Sequence, residues 1–190
     1  MKNIVIVLIA VLFSIQLSAQ GFYSNNLGNY SDNHIYIDVV SKAATLNGDW
    51  GLLGGMRIGY NFNKKYSLGL VAHGLIPEHI EGSYINRDER DNLNLGYGGV
   101  EAGYNYSLSD RFYLTGTMML GAGKVEYETL GGHDYFFIME PGASINYKLT
   151  DWFGLGYSLN YRLASGVNYS NFSNASLSGW SMDLGMKFGF

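Results

Sequence analysis

The chain of 190 residues has no cysteine and only two prolines, Pro77 and Pro141. Without cysteine there is no disulfide framework, no thiolate metal site and no lipidated N-terminal Cys. Beyond the N-terminal segment no stretch reaches the roughly eighteen uninterrupted apolar residues that a membrane-spanning helix needs. Glycine-rich phosphate loops, His-Glu-x-x-His and acidic calcium loops are also missing, so no cofactor and no metal is expected. Twelve basic residues stand against sixteen acidic ones, a balance that argues against a nucleic-acid partner.

What is present begins with Lys2, an apolar run from Ile4 to Ile15 and a small-residue exit at Leu17-Ser18-Ala19 before Gln20. Residues 1–19 therefore read as a cleaved secretory signal peptide. Residues 20–33 are rich in Asn, Ser, Gly and Tyr, lack periodicity, and read as a periplasmic lead-in. Residues 34–190 form one domain. Its many glycines and tyrosines suit strands joined by tight turns and flanked by interfacial aromatics.

Period-two alternation, the signature of a β-strand, recurs eight times. The expected strands run from His34 to Ala43, Gly51 to Phe62, Tyr66 to Ile76, Leu95 to Tyr106, Phe112 to Lys124, Tyr135 to Tyr147, Phe153 to Leu163 and Trp180 to Phe190. Leu46-Asn47-Gly48-Asp49 carries a strong hairpin signal between the first two. Gly59-Tyr60-Asn61, Gly103-Tyr104-Asn105 and, more degenerately, Ile145-Asn146-Tyr147 mark an internal repeat in which aromatics bracket a short polar turn. Two places break the pattern. Leu93, Leu95 and Tyr97 have the opposite parity to Val100, Ala102 and Tyr104, which predicts a bulge near Gly98-Gly99 or an inward-leaning mouth. Pro141 lacks an N–H in mid-strand, which predicts a second bulge.

The final strand is the most regular. Trp180, Met182, Leu184, Met186, Phe188 and Phe190 alternate with small or polar residues, and the stretch is about as long as a strand that crosses a bilayer at a tilt. It resembles the C-terminal targeting strand of bacterial outer-membrane barrels. Short turns fall after the second, fourth and sixth strands, and longer connections fall between Pro77 and Asn92, Val125 and Asp134, and Ala164 and Ser176. With these, the whole mature chain resembles the small eight-stranded outer-membrane barrels of Gram-negative bacteria, the group that includes OmpX and the membrane domain of OmpA. The resemblance implies an all-β, antiparallel, up-and-down transmembrane barrel with short periplasmic turns and longer extracellular loops. It also implies a place in the outer membrane among lipid and lipopolysaccharide, and insertion by the barrel-assembly machinery with the last strand as the assembly signal. It carries no chemical activity.

Inward positions hold Asp38, Lys42, Arg57, Glu101, Glu140, Arg162, Asp183 and Lys187, four acids and four bases. Eight strands enclose a space that side chains just fill, and an unpaired buried charge costs several kcal/mol. An ion-pair plug closing the bore is therefore expected, with a narrow ion path or proton-sensitive gate as the alternative; the inward His73 fits either. A lipid A-modifying enzyme would need Ser, His and an acid within hydrogen-bond reach. The available types are Ser83, His79, His133 and Glu140, which share no motif. The expected function is a non-enzymatic barrel serving envelope integrity or surface contact through its loops, notably the charged stretch from Glu78 to Asp91 and the Ser/Asn-rich stretch with Tyr169 and Phe172.

Overall fold

Alternation carries through eight strands that close on themselves. The computed structural model describes residues 34–46, 48–76, 93–127, 133–168 and 173–189. The leader, the lead-in, the whole stretch from Pro77 to Asn92, Tyr169, Phe172 and Phe190 lie outside the described residues. The strands are β1 (His34–Leu46), β2 (Asp49–Phe62), β3 (Tyr66–Leu75), β4 (Leu93–Ser107), β5 (Phe112–Tyr127), β6 (His133–Lys148), β7 (Phe153–Ser165) and β8 (Gly179–Phe188). Each pairs antiparallel with its sequence neighbours, and β8 returns to β1 through the run from Ile37↔Phe188 to Ala44↔Ser181. No edge strand is left for another chain to pair with.

The two faces have opposite chemistry. Leu68, Leu70, Leu120, Leu155 and Leu184 point outward and are exposed, whereas Leu53, Met119 and Ile138 point inward and are buried. An exterior of large apolar side chains is what lipid, and not water, selects. Two aromatic levels bound it. Near the short turns Phe112 packs at a tilt against Tyr147 with ring centroids 4.6 Å apart, Tyr66 faces Tyr104 at 5.5 Å and Phe153 faces Phe188 at 5.3 Å. Near the other rim Trp180 meets Tyr161 edge-on at 5.0 Å, with Trp50 and Tyr135 exposed around it. Rings that are apolar in body and polar at the tip collect at the two membrane–water interfaces.

The connections set orientation. Residues 63–65, 108–111 and 149–152 make short turns on one rim, the periplasmic one in barrels of this type. Asn63 (φ 51°) and Lys64 (φ 57°) both occupy the left-handed region, and the N–H of Lys65 bonds the carbonyl of Phe62 at 3.0 Å. This is the mirror-image turn whose twist suits a hairpin. On the opposite rim the β7–β8 connection contains α1 (Asn174–Leu177), one turn held by a reciprocal capping box between Ser173 and Ser176.

Neither expected bulge forms. β4 pairs with β5 without a break from Leu93↔Tyr127 to Ser107↔Tyr113, so Leu95 and Tyr97 simply point into the barrel. The inward-leaning mouth is the alternative the structure adopts. Pro141 stays in register with Met118 on β5. On its other side the ladder skips from Met139↔Leu163 to Gly142↔Asn160 and resumes in the same register. Proline thus removes local bonds to β7 without inserting a residue, because its missing N–H faces that one neighbour. β1 also runs three residues past the expected Ala43, burying Ala44 and Leu46.

Candidate functional site

The bore contains three tiers, each written by the inward residues of different strand segments. At the periplasmic end the tier is a polar hydrogen-bonded ring, with the Lys148 ammonium close by over the Tyr113 ring at 5.7 Å. Asn61 contacts His34 at 3.0 Å, Asn105 donates to Asn61 at 3.5 Å, and Thr115 donates to Asn105 at 2.8 Å. Asn146 then donates to Thr115 at 3.0 Å and to Ser144 at 2.9 Å. The chain of bonds joins β1, β2, β4, β5 and β6. Its asparagines are those of the internal repeat: each copy sends its Tyr to the outer girdle and its Asn, one residue away, to this ring.

The middle tier is charged. Arg57 of β2 is surrounded by three carboxylates: Nη1 lies 3.1 Å from Asp38 Oδ2, Nη2 2.9 Å from Asp183 Oδ2, and Nε 3.4 Å from Glu101 Oε2. Lys42 of β1 forms a close ion pair with Glu140 of β6 and lies 3.8 Å from Asp183 Oδ1. Its ammonium also donates to Tyr97 Oη at 3.1 Å, and that hydroxyl donates to Glu140 Oε2 at 3.2 Å. Asp183 therefore joins two clusters that together span β1, β2, β4, β6 and β8. Arg57–Asp183, Arg57–Glu101 and Lys42–Glu140 are crossed braces between strands that are not neighbours in the sheet, whereas Arg57–Asp38 and Lys42–Asp183 join register partners on adjacent strands.

Six of the eight inward charges thus meet, and two do not. Arg162, fully buried, makes no ion pair with a described carboxylate. Its Nε donates to the Leu177 carbonyl at 2.6 Å and its Nη2 to the Thr45 carbonyl at 2.8 Å, while its guanidinium lies 5.6 Å from the Tyr97 ring centroid. It ties α1 to the barrel wall. Lys187 is in register with Asp38, but Asp38 turns to Arg57, and the Lys187 ammonium lies over the Tyr36 ring at 4.9 Å and the Tyr113 ring at 5.7 Å. A cation over a ring face is attracted by the ring quadrupole.

The extracellular tier is apolar. Leu46, Leu53, Leu95, Tyr97, Met119, Val125, Phe136 and Ile138 form one buried cluster, and Leu177 of α1 seats on it from the connection above. Gly123 makes this possible, since a Cβ there would run into the Phe136 ring. Beside the expected ion-pair plug, the bore thus has a second, apolar filling. The signal for this second filling was in the sequence, because Leu53, Val71, Met119 and Ile138 all stand at inward positions of the alternation.

The remaining candidates do not gather. His73 is buried against Tyr97 with ring centroids 5.1 Å apart, its ring packed where Gly55 has no side chain. His133 is exposed at the start of β6, and Glu140 is seven residues along the same strand, about 23 Å away at the usual rise. His79 and Ser83 lie outside the described residues. Among the described residues no three His, Asp or Glu side chains converge as metal ligands would. Of the assembly row, Trp180, Met182, Leu184 and Met186 point outward and exposed, and Phe188 stacks on Trp152 at 6.3 Å.

No family model matches the chain, and no curated protein matches it in sequence. Solved structures do match. Neisserial surface protein A superposes with a TM-score of 0.65 at 13% identity, covering 84% of this chain and 98% of that one. Ail, the attachment invasion locus protein of Yersinia pestis, in complex with the heparin analogue sucrose octasulfate, superposes with a TM-score of 0.53 at 15% identity, covering 82% and 96%. At such identities the likeness is one of fold. With its closed antiparallel sheet, apolar exterior and filled bore, this chain has the fold of the small eight-stranded outer-membrane barrels.

Proposed function

We propose that the protein is a non-enzymatic outer-membrane barrel that supports envelope integrity and surface contact through its extracellular rim, its bore closed by ion pairs below an apolar cap. The observation that carries this reading is the sealed bore: Lys42, Asp183, Leu53 and Ile138 are all at 0% exposure at successive levels. A bore filled to that degree offers no conduction path, and an eight-stranded wall leaves no slack to open one. The separation of His133 from Glu140, and the burial of His73 away from any serine nucleophile among the described residues, weigh against a lipid A-modifying enzyme.

Contact would fall to the extracellular rim. Ail is seen with a polysulfated ligand, but this chain's rim has the wrong sign for one. Asp49, Glu126 and Asp134 face a single described cation, Lys124, itself 2.5 Å from Glu126. The stretch between β3 and β4 adds Glu78, Glu81, Asp88, Glu89 and Asp91 against Arg87 and Arg90. Neutral glycan or cation-bridged lipopolysaccharide suits this surface better than a polyanion.

Two measurements on cells with and without the protein test the reading. Lipid A mass spectra should be unchanged, and detergent sensitivity should rise when the protein is removed. Purified protein in planar bilayers should not conduct. A changed lipid A acylation pattern, or steady single-channel conductance, would overturn the assignment.

A further inference from the structure

The charged tier has two unlike sides. The Lys42 side is dry: Lys42 and Asp183 side chains are at 0% exposure and Glu140 at 4%. The Arg57 side is not: Arg57 and Glu101 side chains each retain 11%. Below Arg57 lies a cavity of about 30 Å³ lined by Tyr36, Asp38, Arg57, Glu101, Lys187 and the hydroxyls of Ser67, Thr115, Thr117, Ser144 and Ser158. Asp38 Oδ1 and Arg57 Nε, both buried, have no hydrogen-bond partner among the described residues. Above Lys42 the apolar cluster begins at once.

We propose that the bore is a blind chamber that takes water from the periplasmic side, its closed end being the Lys42–Glu140 pair. The cavity has room for about two waters, since one needs about 10 to 15 Å³ and two to four polar partners. Water suits the lining better than an ion. The charges around it, Asp38 and Glu101 against Arg57 and Lys187, cancel, and the hydroxyls can both donate and accept. A water between Lys187 Nζ and Asp38 Oδ1 completes a pair that strand register sets side by side but that Arg57 pulls apart. The chamber rests on the closed-bore reading above and adds to it a direction: the Arg57 cluster is solvated from one membrane face only.

Water-edited solid-state NMR of the full mature barrel in phospholipid vesicles tests this. Polarisation should pass early from water to Thr115, Ser144 and the Arg57 side chain, and several-fold more slowly to Leu53, Val125 and Ile138. Thr117→Val, which keeps the wall's shape and removes a hydroxyl, and Ser144→Leu, which fills the cavity, should each slow transfer to Thr115. Slow transfer at Thr115 and Ile138 alike in the unmodified barrel would remove the chamber and leave the closed bore standing. Fast transfer at both would mean a continuous water path and would overturn the chamber and the closed bore together.

Discussion

Arg57 on β2 and Asp183 on β8 meet at 2.9 Å across the strand that separates them, and Asp183 also lies 3.8 Å from Lys42. One carboxylate thus serves two buried cations. Asp183→Asn should leave both under-neutralised, at about 3 to 5 kcal/mol for a broken buried pair. Glu101→Gln removes only the longest of three contacts to Arg57 and should cost clearly less. Urea unfolding in lipid vesicles gives the comparison, and equal costs for the two variants would mean that Asp183 does not bridge the clusters.

The Lys42–Glu140 pair is dry and hydrogen-bonded to Tyr97, so the desolvation of both ions weighs against their attraction. Single changes, Lys42→Met or Glu140→Leu, should destabilise by about 3 to 5 kcal/mol, because the first leaves Glu140 without a cation and the second leaves Lys42 only its longer contact to Asp183. The double variant should recover most of that loss. A double-mutant cycle by the same unfolding measurement reads the coupling, and additive single costs would show that the two side chains act independently.

Arg162→Met separates what the sequence suggests from what the structure holds. Charge balance alone predicts an acid left without its partner. In the structure the loss falls instead on two carbonyls, Leu177 and Thr45, which would each lose the Arg162 donor at about 1 to 3 kcal/mol if water cannot reach them. Amide exchange should therefore quicken at residues 173–178 while the ion-pair tier stays protected. Arg162→Lys should not rescue, since one ammonium cannot match the two-pronged geometry. Faster exchange around Glu140 with α1 unaffected would point back to the charge-balance account.

These cases show where the sequence was readable and where it was not. Strand positions and faces were legible because period two is local: Leu155, Tyr157 and Leu159 declare their side by their neighbours alone. Ion-pair partners were not, because Arg57, Glu101 and Asp183 come together only through the stagger of a closed sheet, which no single strand encodes. Arg162 was misread for a related reason. Its partners are backbone carbonyls, and a carbonyl leaves no residue-type signal. Leu95 and Tyr97 were legible as a departure from pattern, but assigning that departure to a bulge or to an inward apolar tier required knowing that Leu53, Met119 and Ile138 fill the same level.

The outward row of β8 is expected to act as an assembly signal, since Phe188 locks against Trp152 and Phe153 at the periplasmic girdle and the alternation continues to Phe190 in the sequence. Deleting Phe190 should lower the folded, membrane-inserted fraction. Heat-modifiable protein in outer-membrane fractions is the measure, and equal amounts for both forms would remove the last residue from that role.

The deepest test concerns which face meets lipid, because every tier of the bore is defined by it. Met118 is 41% exposed on the outer face of β5, between Ala102 and Pro141. At about 3.3 Å per residue and a tilt near 40°, it sits roughly 15 Å above Phe112 along the membrane normal, close to mid-bilayer. Met118→Arg should then cost about 2 to 4 kcal/mol, whereas Thr117→Arg, on the cavity wall, would report crowding and charge imbalance instead. Since the chain has no cysteine, spin labels can be placed one at a time without background. Labels at Leu114, Met118, Leu155 and Leu184 should be relaxed by oxygen dissolved in lipid, and labels at Thr115, Ser158 and Asp183 should not. Protection of the first set in native membranes would make the outward residues a protein-facing surface, and the bore, its ion pairs and its water chamber would all lose the lipid exterior on which they depend.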